Sequence, residues 1–121
     1  MKKTALEVVN AFQQSLGSGN CEWENMISEN ISFIGPVDQV QGKQAFIELN
    51  KGFFPKVRGY EPKTAFDSGE YVCLEGIFKV ATPNENVISL NMAEVYVVNE
   101  GKIQNVRVYY DAEEFRKEMA N

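Results

Sequence analysis

Two carboxylates bracket the segment AEVYVVNEGKIQNVRVYYD: Glu94 near its start and Asp111 at its end, with Tyr96 and Tyr110 between them. A carboxyl close to phenols can donate, accept or relay a proton, so this segment concentrates the chain's acid–base chemistry. Asp38 follows Pro36 in the loop PVDQVQG; a solvated loop position is the plainer reading, a substitute base the alternative. There is no histidine, which removes Ser-His-Asp and Cys-His nucleophile systems and most zinc sites. Neither GxGxxG nor a Walker-type loop is present, so no cofactor and no metal are expected. Cys21 and Cys73 stand far apart outside any CxxC pattern, which reads as two reduced thiols.

A net charge of −5, with the only basic run at Lys2-Lys3, argues against nucleic acid as a partner. No apolar run approaches the ~20 residues of a membrane span. Within MKKTALEVVNAF, Glu7 and Asn10 interrupt what a signal peptide would need, so a cytoplasmic setting is the default. At 121 residues, 44 % of them hydrophobic, one packed domain over 1–121 is expected.

The elements that must position these groups change type along the chain. Thr4-x-x-Glu7 is a capping box, and Ala5, Val8, Val9, Phe12 and Leu16 follow at helical spacing until Gly17 and Gly19. Trp23, Met26 and Ile27 suggest a second short helix, NISFIGP a short strand or turn, and Ala45, Phe46 and Leu49 a third helix between Gly42 and Pro55. After Tyr60 the period becomes two. KTAF, EYVCLEGIFKV, NVISLNMAEVYVV and KIQNVRVYY read as strands, with DSGE, TPNEN and NEGK as turns. Asp111-x-x-Glu114 is a second capping pattern leading into EEFRKEM, so Asp111 is read as a cap. Helices first and antiparallel strands second predict an α+β fold with helices on one face of the sheet.

Strand parity places Val72, Leu74, Gly76, Phe78 and Val80, then Ile88 to Val98 in alternation, and Val106, Val108 and Tyr110 on the helix side. Glu94 is then the one charge pointing into an apolar interior. Desolvation would raise its pKa, allowing it to donate a hydrogen bond to a ligand carbonyl or to act as a base. The plainer alternative is a bond to Tyr96, Tyr110 or Asn91 that merely closes the interior. On the opposite face Ile77, Ala93, Val95, Val97 and Tyr109, mixed with Glu75, Lys79, Asn91 and Arg107, form a face too apolar to be comfortable in water, which predicts a homodimer through it with Arg107 at the interface; scattered surface hydrophobes are the plainer alternative.

The ordered set SLGSGN, W-x-x-M-I before SFIGP, QGKQAFIEL and AEVYVVNEGKIQNVRVYYDAEEF resembles the SnoaL-like branch of the NTF2-like superfamily, which includes ketosteroid isomerase. The resemblance spans nearly the whole chain. It implies a cone-shaped (cystatin-like) fold: a strongly curved sheet around a long helix, open to a pocket at one end. The candidate lining around Glu94 is Phe12, Trp23, Met26, Phe33, Phe54, Phe78, Met92, Tyr96, Val108 and Tyr110; core packing is the plainer alternative for Trp23, Met26, Phe33 and Phe54, and simple packing for the two tyrosines. Against the isomerase pattern, the base position falls on Gly35 and the tyrosine position on Phe12; only the acidic donor has a counterpart, Glu94. The positions aligned with the Arg and two Asp of the superfamily's epoxide hydrolases are Gly76, Phe78 and Val108. Three functions follow from this: a binder of a small hydrophobic molecule carrying a polar group, an isomerase, cyclase or dehydratase with Glu94 as its acid or base, and a dimeric interaction module. Fold membership alone does not choose among them.

Overall fold

Thr4 Oγ1 accepts the Glu7 backbone N–H at 3.1 Å, while Glu7 Oε1 accepts the Thr4 N–H at 2.8 Å. This reciprocal pair opens α1 (Ala5–Ser18), and Gly19, at φ 80°, closes it in the left-handed region. The computed structural model describes residues 3–119. The buried stripe of α1 is Val8, Val9, Phe12 and Ser15. The Ser15 hydroxyl donates to Asn20 Oδ1 and accepts the Trp23 N–H at 2.9 Å, tying α1 to a 3-10 turn at Glu22–Met26. The second helix expected there is therefore a single tight turn, and Ile27 already belongs to a strand.

Six strands follow: β1 (Ile27–Ile34), β2 (Gln39–Gln41), β3 (Val57–Ser68), β4 (Tyr71–Ala81), β5 (Val87–Asn99) and β6 (Lys102–Tyr109). They lie in the order β2-β1-β6-β5-β4-β3. Every neighbouring pair is antiparallel except β1 with β6, which is parallel. Between β2 and β3 runs α2 (Lys43–Phe53), which buries Phe46 and Ile47 and passes into a 3-10 turn at Phe54–Lys56. The chain reaches α3 (Glu113–Met119) just after Asp111, whose Oδ1 accepts the Glu113 N–H at 3.0 Å.

Helix α1 touches β3, β4, β5 and β6, so the sheet curls around it without closing. Alternation along β4 and β5 is strict, with even-numbered residues buried from Val72 to Val80 and from Ile88 to Val98. The β5–β6 turn puts Glu100 at φ 55° and Gly101 at φ 74°, the paired positive angles of a two-residue hairpin turn. Strand β3 starts at Val57, well before the KTAF segment. Gly59 and Pro62 obscure its pattern, and the ladder accommodates them with register shifts at Val57/Gly59 and Pro62/Thr64. It is an edge strand, where a missing N–H is tolerated. Among the described residues no helix is long and apolar enough to cross a membrane.

Candidate ligand cavity around Glu94

The three central strands set the floor of the site. Leu74, Glu94 and Val108 lie side by side across β4, β5 and β6, so an inward carboxyl is flanked by two aliphatic side chains. Glu94 is 8 % exposed and is the one buried charged residue among the described residues. Its neighbour two positions on, Tyr96, is 1 % exposed and shares the inward face. The Tyr96 hydroxyl donates to Glu94 Oε2 at 3.2 Å and accepts from Gln13 Nε2 at 2.5 Å. Helix α1 thus orients the tyrosine, and the tyrosine orients the carboxyl.

Burial pushes the Glu94 carboxyl up to about 7, with the Tyr96 hydrogen bond pulling the other way. Burial also raises the Tyr96 phenol well above its usual range, and the Glu94 charge adds to this. The result is a carboxyl that can change protonation near neutral pH beside a phenol that cannot.

Above this floor lies a cavity of about 90 Å³, several times the ~10–15 Å³ that one water requires. Phe12, Gln13 and Leu16 of α1 form one side, and Phe46, Leu49, Asn50, Phe53 and Phe54 of α2 and its turn form another. The sheet contributes Phe78, Met92, Glu94, Tyr96, Val106 and Val108. At one end stand Phe33, Gly35, Val37, Asp38, Tyr110 and Phe115. There Arg116 of α3 donates to the Pro36 carbonyl at 2.7 Å, and Phe115 packs edge-on against Tyr110 at 5.8 Å. Burial raises the Tyr110 phenol, and the charge of Asp38 raises it further. Asp38 itself is exposed.

Of the residues read from the sequence as pocket lining, Phe12, Phe33, Phe54, Phe78, Met92, Tyr96, Val108 and Tyr110 border this cavity with Glu94, whereas Trp23 and Met26 do not. The 3-10 turn sets Trp23 behind Phe12 and Phe46, with ring centroids 6.0 and 6.3 Å away. Met26 packs against the core, half-buried. Gly35 and Phe12, the positions matched to an isomerase base and tyrosine, both face the cavity and bring no proton-bearing group to it. Phe78 and Val108 line it as well.

Two polar residues escaped the sequence reading. Gln13 lies beside the apolar stripe of α1, where helical spacing marks no function. Tyr60 lies on β3, opposite Phe78 on β4, with the two ring centroids 4.5 Å apart. A Cβ on Gly76 would come within 2.4 Å of the Tyr60 hydroxyl. A glycine in the middle of an apolar strand face was the available signal. Among the described residues no cluster of His, Cys, Asp and Glu could hold a metal ion.

The sequence profile of the SnoaL-like domain family matches residues 9–106. No curated protein matches significantly. Among solved structures, an NTF2-like protein of unknown function from Burkholderia pseudomallei superposes with a TM-score of 0.85 at 12 % identity, covering 98 % of this chain and 99 % of that one. A protein from Jannaschia named as a candidate SnoaL-like polyketide cyclase superposes with a TM-score of 0.81 at 12 % identity, covering 96 % and 91 %. TerC, co-crystallised with polyporic acid, superposes with a TM-score of 0.80 at 13 % identity, covering 97 % and 98 %. At these identities the likeness is one of fold.

Proposed function

The chain belongs to the SnoaL-like domain family, and on that premise we propose that it binds a small, largely apolar molecule in the cavity, the Glu94 carboxyl holding the ligand's polar oxygen. One observation carries this reading: a buried carboxyl, poised near neutrality and anchored by Tyr96, borders a cavity whose other walls are mostly aromatic and aliphatic. The walls supply affinity through apolar burial, and the carboxyl supplies orientation. In its neutral form Glu94 donates to a carbonyl or phenolic oxygen; ionised, it accepts. TerC, which shares the fold, was co-crystallised with polyporic acid, which agrees with a ligand-binding role.

A proton-transfer enzyme of the isomerase, cyclase or dehydratase kind is the second reading. It is favoured by the Tyr96 hydroxyl meeting Glu94, which sets two polar groups together at the reacting end. An open cavity weighs against a module that only mediates protein contacts. The partner we propose besides the ligand is a second copy of the chain, seated on the outer face of the sheet. A cytoplasmic setting agrees with the two unpaired cysteines, Cys21 and Cys73.

Calorimetric titration with 2-naphthol, a flat apolar body bearing one oxygen, tests the binding reading. The wild-type protein is expected to bind it, and Glu94→Leu to bind at least tenfold more weakly. Equal affinities, or no binding by the wild type, would overturn it. Native mass spectrometry of freshly purified protein would report any molecule already held.

A further inference from the structure

Beside the cavity a wider groove of about 930 Å³ runs between the C-terminal half of α1, the 3-10 turn after α2, and strands β3 and β4. Gln13, Leu16, Asn50, Phe54 and Phe78 border both spaces. A single layer of side chains therefore divides cavity from groove, and two of its five members are amides. The groove's chemistry differs from the cavity's. Asn10 and Gln14 enter it from successive turns of α1, joined by Ser18 and Tyr60. Its charged members are Glu24 and Lys51, one of each sign, so the groove favours neither anions nor cations.

Tyr60 joins the two spaces. Its ring lies in the groove against Phe78, while its hydroxyl rests over Gly76 on the inward face of β4. Gly76 pairs with Met92, two residues from Glu94 on β5, a diagonal separation of about 7–8 Å across a sheet. The Glu94 charge accordingly adds to the burial that raises the Tyr60 phenol. Among the described residues, the side chains of Asn10, Gln14 and Tyr60 make no hydrogen bond to the protein. Asn10 and Gln14 are exposed and Tyr60 is half-buried, so three neutral hydrogen-bonding groups face a groove that adjoins the cavity and are open to an incoming molecule.

We infer that the groove is the outer half of one binding site, and that it takes the neutral, hydroxyl- or carbonyl-bearing part of a molecule whose compact apolar head, ending in an oxygen, occupies the cavity. This rests on the binding reading above. The head displaces water from the aromatic walls, and the extension meets Asn10, Gln14 and Tyr60. Leu16, Phe54 and Phe78, which border both spaces, stand where head and extension would join.

Three probes separate the two claims: 2-naphthol, 6-propoxy-2-naphthol and 6-(2,3-dihydroxypropoxy)-2-naphthol, each titrated into the intact chain. The dihydroxypropoxy compound is expected to bind at least tenfold more tightly than the propoxy compound. That ratio, taken within each variant, is expected to fall at least fivefold in Asn10→Ala/Gln14→Ala. Because the ratio is internal, a general loss of stability in the variant does not mimic the result. Binding of 2-naphthol with no advantage from the two hydroxyls, or an advantage that survives the double substitution, overturns the groove assignment and leaves the cavity reading standing. Failure of all three to bind overturns both.

Discussion

Glu94 is a buried acid whose proton is held more tightly in the folded chain than in the unfolded one, its pKa moving from 4.5 to about 7. Below pH 4.5 both states carry the proton and the residue adds no pH dependence. Between 4.5 and 7 the unfolded chain gives up its proton first, so stability falls as pH rises. Above 7 the cost is complete, about 3 kcal/mol at 1.36 kcal/mol per pKa unit. Glu94→Gln is expected to abolish this part of the slope. Urea denaturation at pH 5 and pH 8 measures it, and an unchanged difference between the two pH values in the variant would show that Glu94 is not the titrating group. Binding of an oxygen acceptor should follow the same proton, steady below pH 7 and weakening about tenfold per unit above it, if the neutral acid is the form that donates. Gly76 is buried on the inward face of β4 beneath the Tyr60 hydroxyl. An alanine Cβ there would meet the Tyr60 hydroxyl at 2.4 Å and its ring carbons at 2.5 Å, so Gly76→Ala is expected to cost about 1–3 kcal/mol by overpacking. In a Tyr60→Ala background the cost should largely vanish. An undiminished cost in that background would place the strain elsewhere.

At the scale of elements, α1 does two jobs: its buried stripe fills the curl of the sheet, and Gln13 reaches the Tyr96 hydroxyl. The Ser15 clamp to Asn20 and the Trp23 N–H fixes where the helix ends and the next turn begins. Ser15→Ala leaves the Trp23 N–H without its acceptor in a buried setting, a loss of about 1–3 kcal/mol. Chemical denaturation of the purified variant checks this, and a change within a few tenths would mean that another acceptor takes over. These elements were unequally legible in the sequence. The capping box at Thr4, the period-two alternation of β4 and β5 and the positive-φ hairpin turn are local signals, each carried by a few neighbouring residues, and the structure repeats them. Strand β2, three residues long, and the first half of β3 carry no such pattern, because Gly59 and Pro62 break it and only pairing with β4 makes a strand there. The site divides in the same way. The inward direction of Glu94 follows from parity along one strand. Gln13, which holds the Tyr96 hydroxyl, and Tyr60, which feels the Glu94 charge, come from elements far off in sequence, and no periodicity within those elements points to them.

The molecule as a whole presents two faces of its sheet to different surroundings. The inner face packs on α1 and α2. The outer face carries Ile34, Phe66, Tyr71, Val87 and Tyr109, which are the large hydrophobic residues most exposed among those described. Strand pairing gathers most of them into one patch: Phe66 lies beside Cys73, Cys73 beside Val95, and Val95 beside Arg107, with Tyr71 next to Val97 and Tyr109 next to Ala93. Ile77, Ala93, Val95, Val97 and Arg107 lie half-buried between them. Scattered apolar residues are ordinary on a surface, but a patch continuous over several strands leaves a large hydrophobic cost that a like patch can remove by covering it. A two-fold pairing does this with one surface, each copy covering the other. Val97→Asp places a charge within that patch, opposite Tyr71, where it would be desolvated without a partner in the assembly yet solvated in a lone copy. The variant is therefore expected to keep the wild-type circular dichroism spectrum and to change from dimer to monomer by light scattering at micromolar concentration. A wild-type chain that is already monomeric under those conditions would refute the dimer, and a variant that remains dimeric would place its interface elsewhere.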